Sequence, residues 1–194
     1  MKIYLFIIAL LGWFALIAQF YILINSEAAP LPELVIRFFS FFTILTNLLV
    51  AVCSSVLLAR PVKPATVTAL TVYILIVGLV YNVVLRFLWQ PQGLQWVVDE
   101  LLHTIVPVLF FIYWFMFVAK NKLAWNSFWP WLIFPLVYIL YTFIRGSFSG
   151  FYPYPFLDVP AIGFNAALIN AVGVAVLFIA ISLLLIGISR KRGV

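Results

Sequence analysis

The chain has 194 residues, 67% of them hydrophobic and 8% charged. About a quarter of a soluble domain's residues are charged, so a soluble globular domain is excluded, and the length suits one compact helical bundle without a second sizeable domain. The net charge of +6 is no nucleic-acid signature, because the basic residues form loop-sized pairs and a short tail rather than a stripe beside stacking aromatics.

Hydropathy predicts an all-α polytopic membrane protein, with six spans each near the ~20 residues that one crossing needs. The first covers 3–24, behind Lys2. It is too long for a signal-peptide core and no small-residue cleavage site follows it, so it is expected to stay in the mature protein. The second runs over 34–59 after Pro30 and Pro32, and the third over 65–88 after Pro61 and Pro64. Gln90-Pro91-Gln92-Gly93 breaks the chain before a fourth span at 99–119. The fifth covers 128–144, with Pro130 in its first turn and a kink expected at Pro135. The sixth covers 161–188, after a breaker-rich stretch from Gly150 to Pro160. The single cysteine, Cys53, excludes an intrachain disulfide and a cysteine-based metal site, and reads as inert packing.

Charge sets the expected orientation. Lys2, Arg60 with Lys63, Lys120 with Lys122, and Arg190-Lys191-Arg192 fall at the N-terminus, the second and fourth loops and the C-terminus. Glu27 and Glu33, then Asp99 and Glu100, then Asp158 fall on the alternate side. Basic loops stay cytoplasmic, which predicts both termini inside. Trp89, Trp96, Trp125, Trp129 and Trp131 stand at span ends, where aromatic belts form.

Three arginines fall outside the basic set. Arg37, Arg86 and Arg145 each lie at the acidic end of a span, where they can snorkel or form an ion-paired rim around an opening. Below them the second span carries Ser40, Thr43, Thr46 and Asn47. On one continuous helix Ser40, Thr43 and Asn47 fall within about 60° of one another, a stripe that must face protein or a wet cavity. It serves equally as interhelical glue. The fourth span carries the only histidine, His103, one turn after Asp99 and beside Glu100. Intramembrane ionisable groups are costly and mark functional sites by default. Asn82 and Arg86 repeat the i, i+4 spacing on the third span, and Asn165 and Asn170 bring amides to the sixth.

These parts fit acyl transfer: a threonine hydroxyl activated by neutral imidazole, with Asn47, Asn82, Arg86 or backbone amides as oxyanion donors. No G-x-S-x-G elbow is present. One histidine with Asp99 and Glu100 falls short of the nitrogen donors usual in catalytic zinc sites, so neither metal nor other cofactor is expected.

Three segments carry a resemblance: Phe41-Phe42-Thr43-Ile44-Leu45-Thr46-Asn47-Leu48-Leu49, His103-Thr104-Ile105-Val106-Pro107 and Tyr154-Pro155-Phe156-Leu157-Asp158. In order and spacing they resemble the membrane threonine hydrolases that include the androgen-induced protein and the androgen-dependent regulator of tissue factor pathway inhibitor. The resemblance covers most of the chain and implies hydrolysis of fatty acid esters of hydroxy fatty acids, with His103 as the base. The animal members' threonine stands three residues before the polar residue matched to Asn47; here Thr43 stands four before it and Thr46 one before. Thr43 is preferred because it shares the stripe with Ser40 and Asn47, with Thr46 the alternative nucleophile. The compact chain looks like a bacterial member, which implies the inner membrane and a lipid ester reached from the bilayer, its carboxylate paired with Arg37, Arg86 or Arg145. Two other readings use the same residues: a non-catalytic lipid-binding or transport protein, and a structural membrane subunit whose polar stripe packs against a partner.

Overall fold

The computed structural model describes residues 1–88, 90–118 and 123–192, and every regular element among them is helical. Among the described residues six helical stretches are long and apolar enough to cross a membrane: Lys2–Ser26, Phe42–Ala59, Pro64–Leu85, Gly93–Phe117, Trp125–Ser149 and Phe164–Lys191. The protein is therefore an all-α polytopic membrane protein. The expectations for Trp89 and for Lys120 with Lys122, and the last residue of the fourth predicted span, lie outside the described residues.

The chain divides into two compact units, Met1–Asn121 and Lys122–Val194. The first contains α1 (Lys2–Ser26), α2 (Leu31–Phe39), α3 (Phe42–Ala59), α4 (Pro64–Val80), α5 (Gly93–Glu100) and α6 (Val106–Phe117). Two of these run on through π turns: α4 into Tyr81–Leu85, and α5 through Leu101–Ile105 into α6. Small residues allow α1 and α3 to approach closely; a Cβ on Gly12 would stand 3.2 Å from the Ala51 Cβ. Ala15, Leu16, Phe38, Ile44, Val98 and Leu102 build a core shared by α1, α2, α3, α5 and the second π turn. At the other end Trp114 of α6 is fully buried, and its indole N–H donates to the Thr68 hydroxyl of α4 at 2.9 Å.

The second predicted span, 34–59, is two helices. The chain breaks at Ser40 and Phe41, where Phe41 is extended (φ −85°, ψ 124°). Ser40 ends α2 by donating its hydroxyl to the Ile36 carbonyl at 2.6 Å, a local bond that competes with helix continuation. Thr43 consequently sits in the first turn of α3 rather than deep in a continuous helix. Ser40 cannot be projected onto one stripe with Thr43 and Asn47. The fourth span also starts earlier, at Gly93, which puts Asp99 and His103 about 9 and 15 Å along the helix at 1.5 Å per residue. Asp99 is buried at 6% exposure rather than standing at the helix mouth.

The second unit contains a 3-10 stretch (Trp125–Leu132), α7 (Ile133–Ser149), a 3-10 turn (Pro155–Leu157), α8 (Val159–Ile162) and α9 (Phe164–Arg192). Pro130 lies inside the 3-10 stretch and α7 begins only at Ile133. Pro135 is therefore in a helical first turn, where its missing N–H requires no kink. The Tyr154–Asp158 segment is a structural corner: the Asp158 carboxylate caps α8 by accepting from the Ala161 N–H, and Asn170 Nδ2 donates to the Phe156 carbonyl at 2.9 Å. Asn165, by contrast, is exposed.

Candidate functional site

Pro107 organises the polar centre of the first unit. In the π turn before it, the Val106 N–H reaches back five residues to the Leu101 carbonyl and so passes over Leu102. The next residue that could serve Leu102 is Pro107, which has no N–H. Pro107 is also the residue that would serve His103 in ordinary α register. Two adjacent carbonyls are thus short of donors inside the bundle, and two asparagines supply them. Asn47 Nδ2 donates to the Leu102 carbonyl at 3.1 Å and to its own helix at Thr43 at 2.9 Å. Asn82 Nδ2 donates to the His103 carbonyl at 3.1 Å and to Gly78 at 2.8 Å.

This arrangement gives both asparagines an orienting role. Each amide nitrogen has two protons, and both are engaged by carbonyls, so Asn47 and Asn82 hold the histidine turn in place and have no proton left for an oxyanion. The proline four residues after His103 was the sequence signal for this need.

The imidazole of His103 is enclosed from several directions. Its Nδ1 stands 3.0 Å from the Asp99 backbone carbonyl. A carbonyl only accepts, so Nδ1 carries a proton, and in the neutral imidazole Nε2 keeps its lone pair. The side chain is 12% exposed. Tyr81, from the π turn after α4, stacks on it with ring centroids 3.9 Å apart and planes 12° from parallel. The Tyr81 hydroxyl donates to Asp99 Oδ2 at 3.3 Å, and Gln95 Nε2 donates to Asp99 Oδ1 at 3.1 Å. Gln95 also donates to Gln19 Oε1 of α1 at 3.0 Å. The nearer Asp99 oxygen is thereby held 4.0 Å from Nδ1. Sequence reasoning missed Tyr81, Gln95 and Gln19. Only Gln95 had a signal, its i, i+4 spacing to Asp99; nothing distinguished Tyr81 among nine tyrosines.

The arginines separate. Arg37 is joined to Glu27 at 2.8 Å and Glu33 at 2.9 Å. The Glu33 hydrogen bond, joined by that of Glu27 and opposed by desolvation, holds the guanidinium above its ordinary pKa, so Arg37 is charged at any working pH. Arg86 is part of the histidine site: Nη2 reaches Glu100 at 2.7 Å and the Thr104 hydroxyl at 3.1 Å, and Nε donates to Asn82 Oδ1 at 2.9 Å. Arg145 belongs to the second unit, with its guanidinium 4.5 Å from the Phe151 ring centroid.

The two threonines differ. Thr43 is 8% exposed and shares a face of α3 with Asn47, whose amide reaches the histidine turn. Thr46 is fully buried and its hydroxyl makes no hydrogen bond. No hydrogen bond joins either hydroxyl to the imidazole. Ser40 is buried and tied to Ile36. Beside α3, residues including Trp13, Phe20, Phe38, Phe39, Ile44 and Leu48 line an apolar groove of about 280 Å³. Among the described residues no three His, Cys, Asp or Glu side chains group so as to hold a metal ion.

No protein-family model, curated protein or solved structure matches the chain.

Proposed function

We propose that the protein is an intramembrane lipid-ester hydrolase of the inner membrane of a bacterium, both termini cytoplasmic, acting on fatty acid esters of hydroxy fatty acids or a related lipid ester. One observation carries this reading: the partly buried His103 donates from Nδ1 to the Asp99 carbonyl, which leaves Nε2 of the neutral ring as a base. Thr43 is the nucleophile, supported by its place on the Asn47 face of α3. Its hydroxyl proton passes to Nε2 as Oγ1 attacks the ester carbonyl. The imidazolium then protonates the departing alkoxide, leaving an acyl-threonine. Water deprotonated by Nε2 attacks the acyl-threonine, the carboxylic acid leaves, and the proton returns to the threonine oxygen. Hydrogen bonds of this kind often tighten only when substrate is bound. With Asn47 and Asn82 engaged, the oxyanion donor is the Ile44 N–H, which lies in the first turn of α3 where a helix supplies no acceptor.

The test is turnover of a p-nitrophenyl ester and a branched fatty acid ester by purified protein in detergent. His103→Ala and Thr43→Ala are expected to lose at least about a hundredfold in kcat, while Thr46→Ala retains it. Wild-type protein that cleaves neither ester, or four proteins of equal activity, would reject the reading.

The groove beside α3 favours a second reading, non-catalytic lipid binding. Under it, wild-type protein binds the branched ester and releases it uncleaved.

A further inference from the structure

We infer that Tyr81 is a positioning residue for His103, fixing the plane of the imidazole so that Nδ1–H stays on the Asp99 carbonyl and Nε2 keeps one direction. The effect on turnover rests on the hydrolase reading; the effect on the imidazole rests on geometry alone.

Tyr81 acts on the imidazole in two ways. Its ring lies 3.9 Å from the imidazole and nearly parallel to it, which fixes the plane of the imidazole. Its hydroxyl holds Asp99 Oδ2 at 3.3 Å, while Gln95 holds Oδ1. Anchored through both oxygens, the carboxylate stays 4.0 Å from Nδ1 and the Nδ1 proton goes to the Asp99 backbone carbonyl instead. A carboxylate free to swing would accept the Nδ1–H bond in the carbonyl's place, leaving the tautomer as it is but drawing the ring from its plane. Tyr81 is only 5% exposed, so a bound ester need not displace it.

Both rings stand on π turns of neighbouring helices, Tyr81–Leu85 and Leu101–Ile105. A π turn inserts one residue and rotates the rest of the helix by roughly a quarter turn relative to an unbroken α-helix, a local irregularity that recurs at functional sites. Here the two π turns bring Tyr81 against His103 and Asn82 onto the His103 carbonyl. Packing alone would explain a stacked pair, but it gives no reason for the hydroxyl to hold the carboxylate away from Nδ1.

His103 is the only histidine, so full-length protein labelled with ¹⁵N-histidine gives one pair of imidazole nitrogen signals in detergent. Wild type is expected to show protonated Nδ1 and unprotonated Nε2. Tyr81→Phe, which keeps the stack and releases Asp99, should shift the Nδ1 resonance and lower kcat about threefold. Tyr81→Leu, which removes the stack as well, should shift and broaden both imidazole resonances and lower kcat at least about tenfold, with KM changed less than about twofold, because misplacing a base impairs the step and not ground-state binding. A wild-type Nε2–H tautomer would overturn the inference. So would a Tyr81→Phe variant with unchanged resonance and kcat, or a Tyr81→Leu variant that is less heat-stable but otherwise like wild type. Should wild type cleave no ester while Tyr81→Leu still shifts and broadens the imidazole resonances, positioning stands and hydrolysis fails. Should wild type cleave esters and both Tyr81 variants match it in rate and resonance, the positioning role alone is rejected.

Discussion

The side-chain amide of Asn82 donates to the backbone carbonyl of His103 at 3.1 Å, the carbonyl that Pro107 cannot serve. Removing the amide leaves a buried acceptor short of a donor, which costs about 1–3 kcal/mol. Asn82→Ala is expected to lower stability by that amount in thermal unfolding in detergent. In a Pro107→Ala background, where residue 107 regains its N–H, the loss should be smaller. Equal losses in both backgrounds would separate Asn82 from the proline.

Thr46 presents the opposite case. Its hydroxyl is buried without a hydrogen bond, a cost that a methyl group of the same shape removes. Thr46→Val should match or exceed wild-type stability, by up to about 1–2 kcal/mol, and retain ester turnover. Loss of turnover with stability intact would make Thr46 the nucleophile.

Of the three arginines considered for a substrate carboxylate, Arg86 shares hydrogen-bonded partners with the histidine turn. Arg86→Gln is expected to raise KM about tenfold for an ester with a free carboxylate, roughly the 1.4 kcal/mol typical of one charged contact, and to leave KM for its methyl ester unchanged. Arg37→Gln, whose partners are Glu27 and Glu33, should alter neither. Steady-state kinetics on the paired substrates decides between them.

Gly78 lies where α4 meets the histidine turn. A Cβ there would stand 3.1 Å from the His103 carbonyl oxygen and 3.3 Å from the Pro107 Cβ. Neither neighbour can swing aside, so Gly78→Ala should separate the helices at a cost of about 1–3 kcal/mol. The same displacement should broaden the imidazole ¹⁵N signals. A variant as stable as wild type, with unchanged imidazole signals, would show that the contact can relax.

Much of the fold was legible because the bilayer leaves few options. Apolar runs of about 20 residues must be helices that satisfy their own backbone groups, and six such runs stand out from composition alone. Charge density also pointed to the polar centre of the first unit: His103, Asp99 and Glu100 are too costly within a span to pass unnoticed. Periodicity failed where helices are irregular. It ran through Ser40 and Phe41 as one helix because both residues are tolerated in a span, and the break is made by a hydroxyl bonding its own backbone.

Local hydrophobicity and charge were enough to establish an all-α polytopic membrane protein with six apolar helices and to single out the polar residues of its first unit. What those residues do for one another depends on tertiary packing. Packing assigned Asn47 and Asn82 to the carbonyls freed by Pro107, set Tyr81 against His103, and gave Arg86 to Glu100. These pairings join separate helices through side chains of a few ångströms' reach. The π turns that align them shift register by one residue, which no hydropathy pattern records.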